Sequence, residues 1–164
     1  MSEMPLALLV SGWANWKSGL KSMLEHRGIA VFDAPSCAEA ALLLHGYTPP
    51  HIVFTDMQLE DGSWTGILSL AETSSMPVNV IVVSRNADID TYVQALERGA
   101  FDFIVPPLET SEIDHVIRNA MASVCHRREM ERAKFAVAKG LRKAPEDETE
   151  PSPCDDDLQM APLA

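Results

Sequence analysis

The sequence lacks paired cysteines and long hydrophobic runs, and each absence excludes a class of protein. Three cysteines, an odd number with no CxxC pair, exclude a disulfide framework and a zinc cluster. The apolar run from Pro5 to Val10 is far shorter than the roughly 18–20 residues that a membrane-spanning helix needs. No basic residue precedes that run, and Glu3 stands where a secretory leader would be positively charged. We therefore expect a cytoplasmic protein without membrane association.

Basic residues are also missing from one end of the chain. The net charge is −11 over 164 residues, yet residues 144–164 hold seven acids and no Lys or Arg, whereas residues 118–143 hold eight bases and two acids. This composition predicts a compact domain at 1–126, a basic helical extension at 127–143 and a disordered acidic tail at 144–164. Because the chain as a whole is acidic, nucleic-acid binding is not expected.

Five short apolar runs recur at nearly regular distance and have the length of strands. Most of them are apolar almost without interruption, so neither face of the strand is expected to be exposed to solvent. Such runs are typical of parallel strands that are covered by helices on both sides. Alternation with helices on short links predicts an α/β fold, a (βα)5 flavodoxin-like doubly wound parallel sheet with strand order 2-1-3-4-5. The predicted strands are 6–10, 29–32, 52–55, 78–83 and 101–105.

Amphipathic patterns between these runs predict the helices. Ser36, with Glu39 three residues later, forms a capping box, and Ser111 is expected to cap a last helix that continues into the basic extension. The fourth helix carries an apolar stripe, which is expected to make it an amphipathic crossover like the first. That stripe consists of Ile89, Tyr92, Val93 and Leu96.

The predicted strand order places a cleft at the carboxyl ends of strands 1 and 3, where the topology switches direction. Trp13 either plugs this cleft or packs on the first helix beside Trp16. The residues predicted to line the cleft are Ser11, Gly12 and Trp13 after strand 1, Asp56 and Met57 after strand 3, and Ser84 after strand 4, with Pro106 on the rim.

These segments resemble the receiver domain of two-component response regulators over about residues 6–124. The resemblance implies that Asp56 is the phosphoacceptor, that Ser84 contacts the phosphoryl oxygens and that Phe103 is the aromatic switch residue. Asp61, ahead of Gly62, is interpreted as a turn residue instead of a metal ligand. The motifs are Val-Phe-Thr-Asp-Met-Gln-Leu-Glu-Asp-Gly at 53–62, Val-Val-Ser at 82–84 and Gly-Ala-Phe-Asp-Phe-Ile-Val-Pro-Pro at 99–107.

Two elements of the receiver site are missing. The family has a pair of acids after strand 1 that helps to bind Mg²⁺, and a lysine before the proline after strand 5; this chain has Ser11, Gly12 and Pro106 there. Phosphoryl transfer depends on cations held against the developing charge, so these departures disfavour phosphorylation. Asp56 with the Met57 carbonyl is at best a weak Mg²⁺ site, and no other cofactor is expected.

These departures predict a stand-alone degenerate receiver, a pseudo-response regulator without enzyme activity that acts by protein–protein interaction in a phosphorelay. The alternative is a working receiver whose Asp56 accepts a phosphoryl group from a histidine kinase that supplies the missing cations. A small-ligand sensor is a further alternative, which no motif specifies. The expected partners are a histidine kinase, another regulator or a second copy of the chain.

Overall fold

The computed structural model describes residues 4–12 and 15–140, so Trp13, residues 141–143 and the predicted acidic tail lie outside the described residues. Within this part no helix is long and apolar enough to cross a membrane. The described elements, in chain order, are β1 (Leu6–Val10), α1 (Trp16–His26), β2 (Ala30–Ala34), α2 (Cys37–Leu44), β3 (Ile52–Asp56), β4 (Gln58–Leu59), β5 (Gly62–Ser63), α3 (Trp64–Glu72), β6 (Asn79–Val83), α4 (Ile89–Glu97), β7 (Asp102–Ile104) and α5 (Thr110–Ala138).

Five of the strands form one parallel sheet in the order β2-β1-β3-β6-β7. This confirms the predicted wound sheet, because β6 and β7 are the fourth and fifth predicted strands. Two short strands, β4 and β5, were not predicted; each has two residues, and they pair antiparallel as a hairpin directly after β3. Strands of two residues are too short to show a hydrophobic period.

The core lies on both faces of the sheet, because successive strand residues point to opposite sides. Leu8 and Val53 belong to a cluster with α2 and α3, and Leu9 and Phe54 belong to a second cluster with α1 and α5. All four side chains have no solvent exposure. The sheet is therefore covered on both sides, as its continuously apolar strands predict.

Helix α4 departs from its predicted packing. Ala95 is its only buried residue, whereas the four residues of the predicted apolar stripe are between 37% and 73% exposed. Tyr92 of the stripe still reaches the sheet, where its ring meets Phe103 edge-on at a centroid distance of 5.7 Å. Helix α4 is the crossover between β6 and β7 that the sequence predicts, but most of its apolar stripe does not pack on the sheet, because the small Ala95 makes the close contact there.

Helix α5 begins at Thr110, so Ser111 lies in its first turn and does not cap it. The helix ends at Ala138, and Gly140 then adopts a positive φ of 75°. Glycine adopts such a conformation without steric cost and commonly ends helices. The predicted extension is thus helical as far as Ala138.

Asp61 attaches the β4–β5 hairpin to the beginning of α2. Its two carboxylate oxygens accept from the backbone N–H groups of Cys37 at 2.8 Å and of Ala38 at 3.0 Å, and Ser36 Oγ accepts from the Glu39 N–H at 3.3 Å. A carboxylate at a helix N-terminus accepts from backbone N–H groups that have no partner within the helix. Its negative charge also interacts favourably with the positive end of the helix dipole. Asp61 is therefore a capping residue for a helix that lies 24 positions earlier in the chain.

The first prediction concerns the acid sensitivity of this cap. The N–H groups of Cys37 and then Ala38 hold the pKa of Asp61 below its ordinary value. A carboxylate with a lowered folded-state pKa stabilises the fold above its unfolded pKa of about 4, and that contribution disappears as the pH falls through the folded pKa. Asp61→Asn should thus be less stable than the wild type at pH 7, and the difference should shrink below about pH 4.

Chemical denaturation at several pH values measures this difference. Glu60→Gln is the matched control, since Glu60 is the exposed neighbour in the same turn. An Asp61→Asn deficit that is independent of pH would contradict the assigned role.

Arg128 is a buried cation near the amino ends of the sheet strands, with 2% of its surface exposed. Its guanidinium donates to the carbonyl oxygens of Pro49 at 3.2 Å, Pro50 at 2.7 Å and Pro77 at 2.9 Å. These prolines precede β3 and β6, so Arg128 joins α5 to the amino ends of two central strands. The chain divides into two units directly after this residue, Met1–Arg128 and Glu129–Ala164.

Candidate functional site

The register of the sheet brings three predicted site residues to one edge. Val10 pairs with Thr55, and Asp56 pairs with Val83. The residues that follow, Ser11 and Ser84, therefore flank Asp56 at the carboxyl ends of β1, β3 and β6. This edge is the topological switch point, where a wound sheet ordinarily binds its ligand.

Asp56 is held by two neutral donors. The hydroxyl of Ser11 donates a hydrogen bond to Oδ2, and the indole Nε1 of Trp16 donates to Oδ1 at 2.9 Å. Ser11 is fully buried, Trp16 is nearly so, and Asp56 is half-buried. Each carboxylate oxygen thus has a partner from the β1 to α1 region.

No cationic side chain among the described residues forms a hydrogen bond or an ion pair with Asp56. Lys17 lies near the site, but its Nζ donates to the Ser11 carbonyl at 3.2 Å and pairs with Asp33 at 3.3 Å. The ammonium group of Lys17 is therefore paired with Asp33, near the end of β2. The same group also holds the backbone carbonyl of Ser11 in place.

The remaining predicted site residues lie around this centre. Ser84 is buried, and its hydroxyl accepts from the Asn86 N–H at 3.1 Å and lies 3.0 Å from the Asn86 carbonyl, to which it donates. Phe103 is buried below Tyr92. Pro106 forms a cis peptide bond with Pro107 where a receiver would carry its lysine. The roles assigned to Ser84 and Phe103 remain predictions.

A cavity of about 530 Å³ opens beside Asp56. It lies between the β4–β5 hairpin and the segment that joins β6 to α4. Its wall combines three carboxylates with one guanidinium, so a bound group meets mixed charge. The lining residues are Gly12, Asp56, Met57, Gln58, Leu59, Glu60, Val83, Ser84, Arg85, Asn86, Asp88 and Thr91.

Few oxygen ligands for Mg²⁺ lie directly beside Asp56 among the described residues. Mg²⁺ requires octahedral oxygen coordination, usually with one or two carboxylates. Both oxygens of Asp56 already accept hydrogen bonds, Gly12 brings no side chain, and the Met57 carbonyl accepts from the Trp64 N–H at 3.2 Å. Residues 4–12 and 15–140 contain no cluster of three His, Cys, Asp or Glu side chains that could hold a metal.

Trp16 contacts Asp56 but was not among the residues predicted to line the site. It belongs to the apolar stripe of α1, which predicts only a core position, and its ring does pack in the core. Its indole N–H is the part that reaches Asp56. Trp64, at the start of α3, is buried in the other core cluster and is not among the residues that line the cavity. A buried indole N–H usually has a hydrogen-bond acceptor. Asp56, at the end of the neighbouring strand β3, is an acceptor within reach, and this combination is the signal that could have identified the pair.

The second prediction tests this hydrogen bond. Trp16→Phe keeps an aromatic ring in the core but removes the donor to Asp56 together with part of the buried indole volume. A hydrogen bond to a charged group contributes roughly 1.5–3 kcal/mol, so the free energy of unfolding should fall by at least about that amount, and the coupling to Asp56 should account for about that amount of it. Denaturation of the wild type, Trp16→Phe, Asp56→Asn and the double variant measures the coupling. Additive losses would show that the two side chains do not interact.

Comparison with known proteins places this geometry in a family. The response regulator receiver domain family matches residues 10–138. The nitrogen assimilation regulatory protein NtrX of Azorhizobium caulinodans is 29% identical over 120 residues, which are 71% of this chain and 26% of NtrX. The photosynthetic apparatus regulatory protein RegA of Cereibacter sphaeroides is 26% identical over 110 residues, which are 67% of this chain and 59% of RegA. The chain thus spans less than two thirds of either relative.

Solved structures agree on the fold. The signal receiver domain of a putative LuxO repressor from Vibrio parahaemolyticus superposes with a TM-score of 0.70 at 19% identity, covering 79% of this chain and 98% of that domain. The strand order, the aspartate at the end of β3 and the family match lead to one assignment. The chain belongs to the response regulator receiver domain family and is a receiver domain of two-component signalling.

Proposed function

We propose that this receiver domain acts as a pseudo-receiver, which signals through protein contacts while Asp56 stays unphosphorylated. The observation that carries the proposal is that the Ser11 hydroxyl and the Trp16 indole occupy both carboxylate oxygens of Asp56. The comparisons establish the family only and give this finer assignment no support. Its support is the chemistry of the site.

The physical reason is a shortage of positive charge. A transferring phosphoryl group spreads negative charge over its oxygens, and receivers need cations aimed at that charge before the reaction begins. Ser11 and Trp16 are neutral donors already used by the carboxylate, and Lys17 is paired with Asp33. An attack on a phosphodonor by either oxygen of Asp56 would compete with the hydrogen bond that this oxygen already accepts.

The hydrogen bonds also explain how the receiver fold persists without an acid pair. Clustered carboxylates repel one another and require a counter-ion, whereas a single carboxylate with two donors does not. Asp56 then joins β3 to α1 as a structural group. The module would present its surfaces to a histidine kinase or another regulator in one fixed state.

The second candidate is a working phosphoacceptor, and the comparisons favour it over the first. Family membership assigns the chain to two-component signalling, and Asp56 and Ser84 lie side by side on the cavity as a phosphoacceptor and its hydroxyl contact would. In this candidate a histidine kinase supplies the missing cations and transfers the phosphoryl group to Asp56. Among the described residues, Arg85 is the cation that lines the cavity and would contact that group.

The third prediction separates the candidates. The full chain is incubated with Mg²⁺ and acetyl phosphate, and its intact mass is measured beside that of Asp56→Ala and of an active receiver as positive control. The pseudo-receiver predicts no mass increase under conditions that fully modify the positive control. A stoichiometric, base-labile increase that disappears in Asp56→Ala would establish the phosphoacceptor instead. Repeating the assay with a phosphorylated kinase domain tests transfer from a protein donor.

A further inference from the structure

The cavity beside Asp56 contains opposite charges that do not pair with each other. Its wall holds the carboxylates of Asp56, Glu60 and Asp88 and the guanidinium of Arg85, three negative groups and one positive group. Glu60 and Arg85 are exposed, and within the part of the chain that the structure describes neither forms a hydrogen bond or an ion pair. Because they line one cavity without contacting each other, a bound molecule with both signs of charge can contact each of them.

The charged groups lie on two sides of the cavity. Glu60 belongs to the turn of the β4–β5 hairpin, whereas Arg85 and Asp88 belong to the segment between β6 and α4. The carboxylate of Asp88 accepts from the Thr91 hydroxyl at 2.6 Å, and this hydrogen bond holds the pKa of Asp88 below its ordinary value. One side therefore offers a cation and an anion, and the other side offers a second anion.

Apolar side chains complete the lining of the cavity. Met57, Leu59 and Val83 contribute aliphatic or thioether groups to its wall. The volume of about 530 Å³ lies within the range of small-molecule sites, in which apolar groups bury the ligand and a few charged groups orient it. The cavity therefore suits a molecule whose charged ends are joined by a short aliphatic chain.

We propose that this cavity binds a free basic amino acid such as lysine, an activity that goes beyond the function proposed above. The α-carboxylate of the ligand binds Arg85, whose planar fork of N–H groups matches a carboxylate. The α-ammonium group binds Asp88, and the side-chain ammonium group binds Glu60 across the cavity. The methylene groups of the ligand lie along Met57 and Leu59.

Charge separates this ligand from other classes. An inorganic phosphate or a dicarboxylate would meet three carboxylates and one guanidinium, so repulsion opposes its binding. A diamine would leave Arg85 without a partner, and an amino acid with a neutral side chain would leave Glu60 without one. A basic amino acid supplies a matching group to both sides. Asp56, whose oxygens accept from Ser11 and Trp16, adds negative charge that favours the cationic ligand.

Isothermal titration calorimetry of the full chain at pH 7, without Mg²⁺, tests the ligand class with four probes. L-Lysine is compared with cadaverine, which lacks the α-carboxylate, with Nα-acetyl-lysine, which lacks the α-ammonium group, and with norleucine, which lacks the side-chain ammonium group. We expect saturable binding of lysine with a dissociation constant below about 1 mM. Each analogue should bind at least about 10-fold more weakly, because each lacks one charge-assisted hydrogen bond.

Two variants assign the contacts at opposite sides of the cavity. In Arg85→Gln, lysine should bind at least about 10-fold more weakly, whereas cadaverine, which has no carboxylate, should bind no more weakly than before. In Glu60→Gln, the affinity for lysine should fall to that for norleucine, and the affinity for norleucine should change little. Arg98→Gln and Glu97→Gln are the matched controls, because both residues are exposed at the end of α4 and do not line the cavity.

Three results would overturn the inference. They are the lack of saturable lysine binding up to about 10 mM, equal affinities for the four probes, and an unchanged affinity for lysine in Arg85→Gln or Glu60→Gln. The titration contains no phosphodonor, so its result does not depend on whether Asp56 is a phosphoacceptor. Failure of this inference is therefore distinguishable from failure of the proposed function.

Discussion

Replacing Arg128 by methionine is expected to lower the free energy of unfolding by roughly 2–4 kcal/mol, because the buried carbonyls of Pro49 and Pro50 would lose their donors. Methionine has a similar length and fills the space of the side-chain stem. It cannot replace the planar fork of N–H groups that reaches three carbonyl oxygens at once. The Pro77 carbonyl, 2.9 Å from Nε, would lose its donor as well.

Urea denaturation at pH 7 measures the loss. Arg118→Met on the same helix is the control, since Arg118 is exposed and should change stability little. Arg128→Lys should fall between the two, because an ammonium group reaches fewer of the carbonyls. Equal stability of the Arg128 and Arg118 variants would show that water or other donors satisfy the carbonyls equally well.

Restoring the family's charges should produce the largest chemical change. The triple variant Ser11→Asp, Gly12→Asp, Pro106→Lys removes one neutral donor from Asp56 and supplies an acid pair and a lysine. Each well-placed electrostatic group contributes about 100-fold or more to such a rate. Under the pseudo-receiver proposal, phosphorylation by acetyl phosphate with Mg²⁺ should rise by at least about 100-fold over the wild type.

Initial rates of mass increase measure this effect, with the triple variant that also carries Asp56→Ala as the control for modification elsewhere. Circular dichroism verifies that the variants fold. Equal phosphorylation of wild type and restored protein would show that Ser11, Gly12 and Pro106 do not limit the reaction, which would favour the working phosphoacceptor. Phosphorylation of the restored protein alone would show that the scaffold is intact and that these positions control its chemistry.

The sheet was predictable from sequence, whereas several contacts of the site were not. The uninterrupted apolar runs of β3 and β6 predict that both faces of these strands are buried. The alternation of strands and helices predicts that the strands are parallel. Ser11, Asp56 and Ser84 are ends of these strands, so their positions on one edge follow from the order. A local pattern cannot predict which atom of a core residue finds a polar partner, and the Trp16 indole is such a case.

The same limit explains the misjudged helix face and the missed arginine. The stripe of α4 has the period of a buried face, but the contact with the sheet is made by Ala95, whose size allows closer approach. Arg128 sits in a basic stretch that suggests solvent exposure, and its burial depends on carbonyls about fifty and eighty residues earlier in the chain. Such distant pairings are properties of the folded structure and leave no periodic signal.

The single buried residue of α4 has an energetic consequence. A helix that buries one alanine can open locally at a lower free-energy cost than α1, which buries Trp16, Leu20 and Leu24. The backbone amides of α4 should therefore exchange their hydrogens sooner than those of the central strands. A partner that covered this helix would slow that exchange, so binding at α4 would be coupled to its local order.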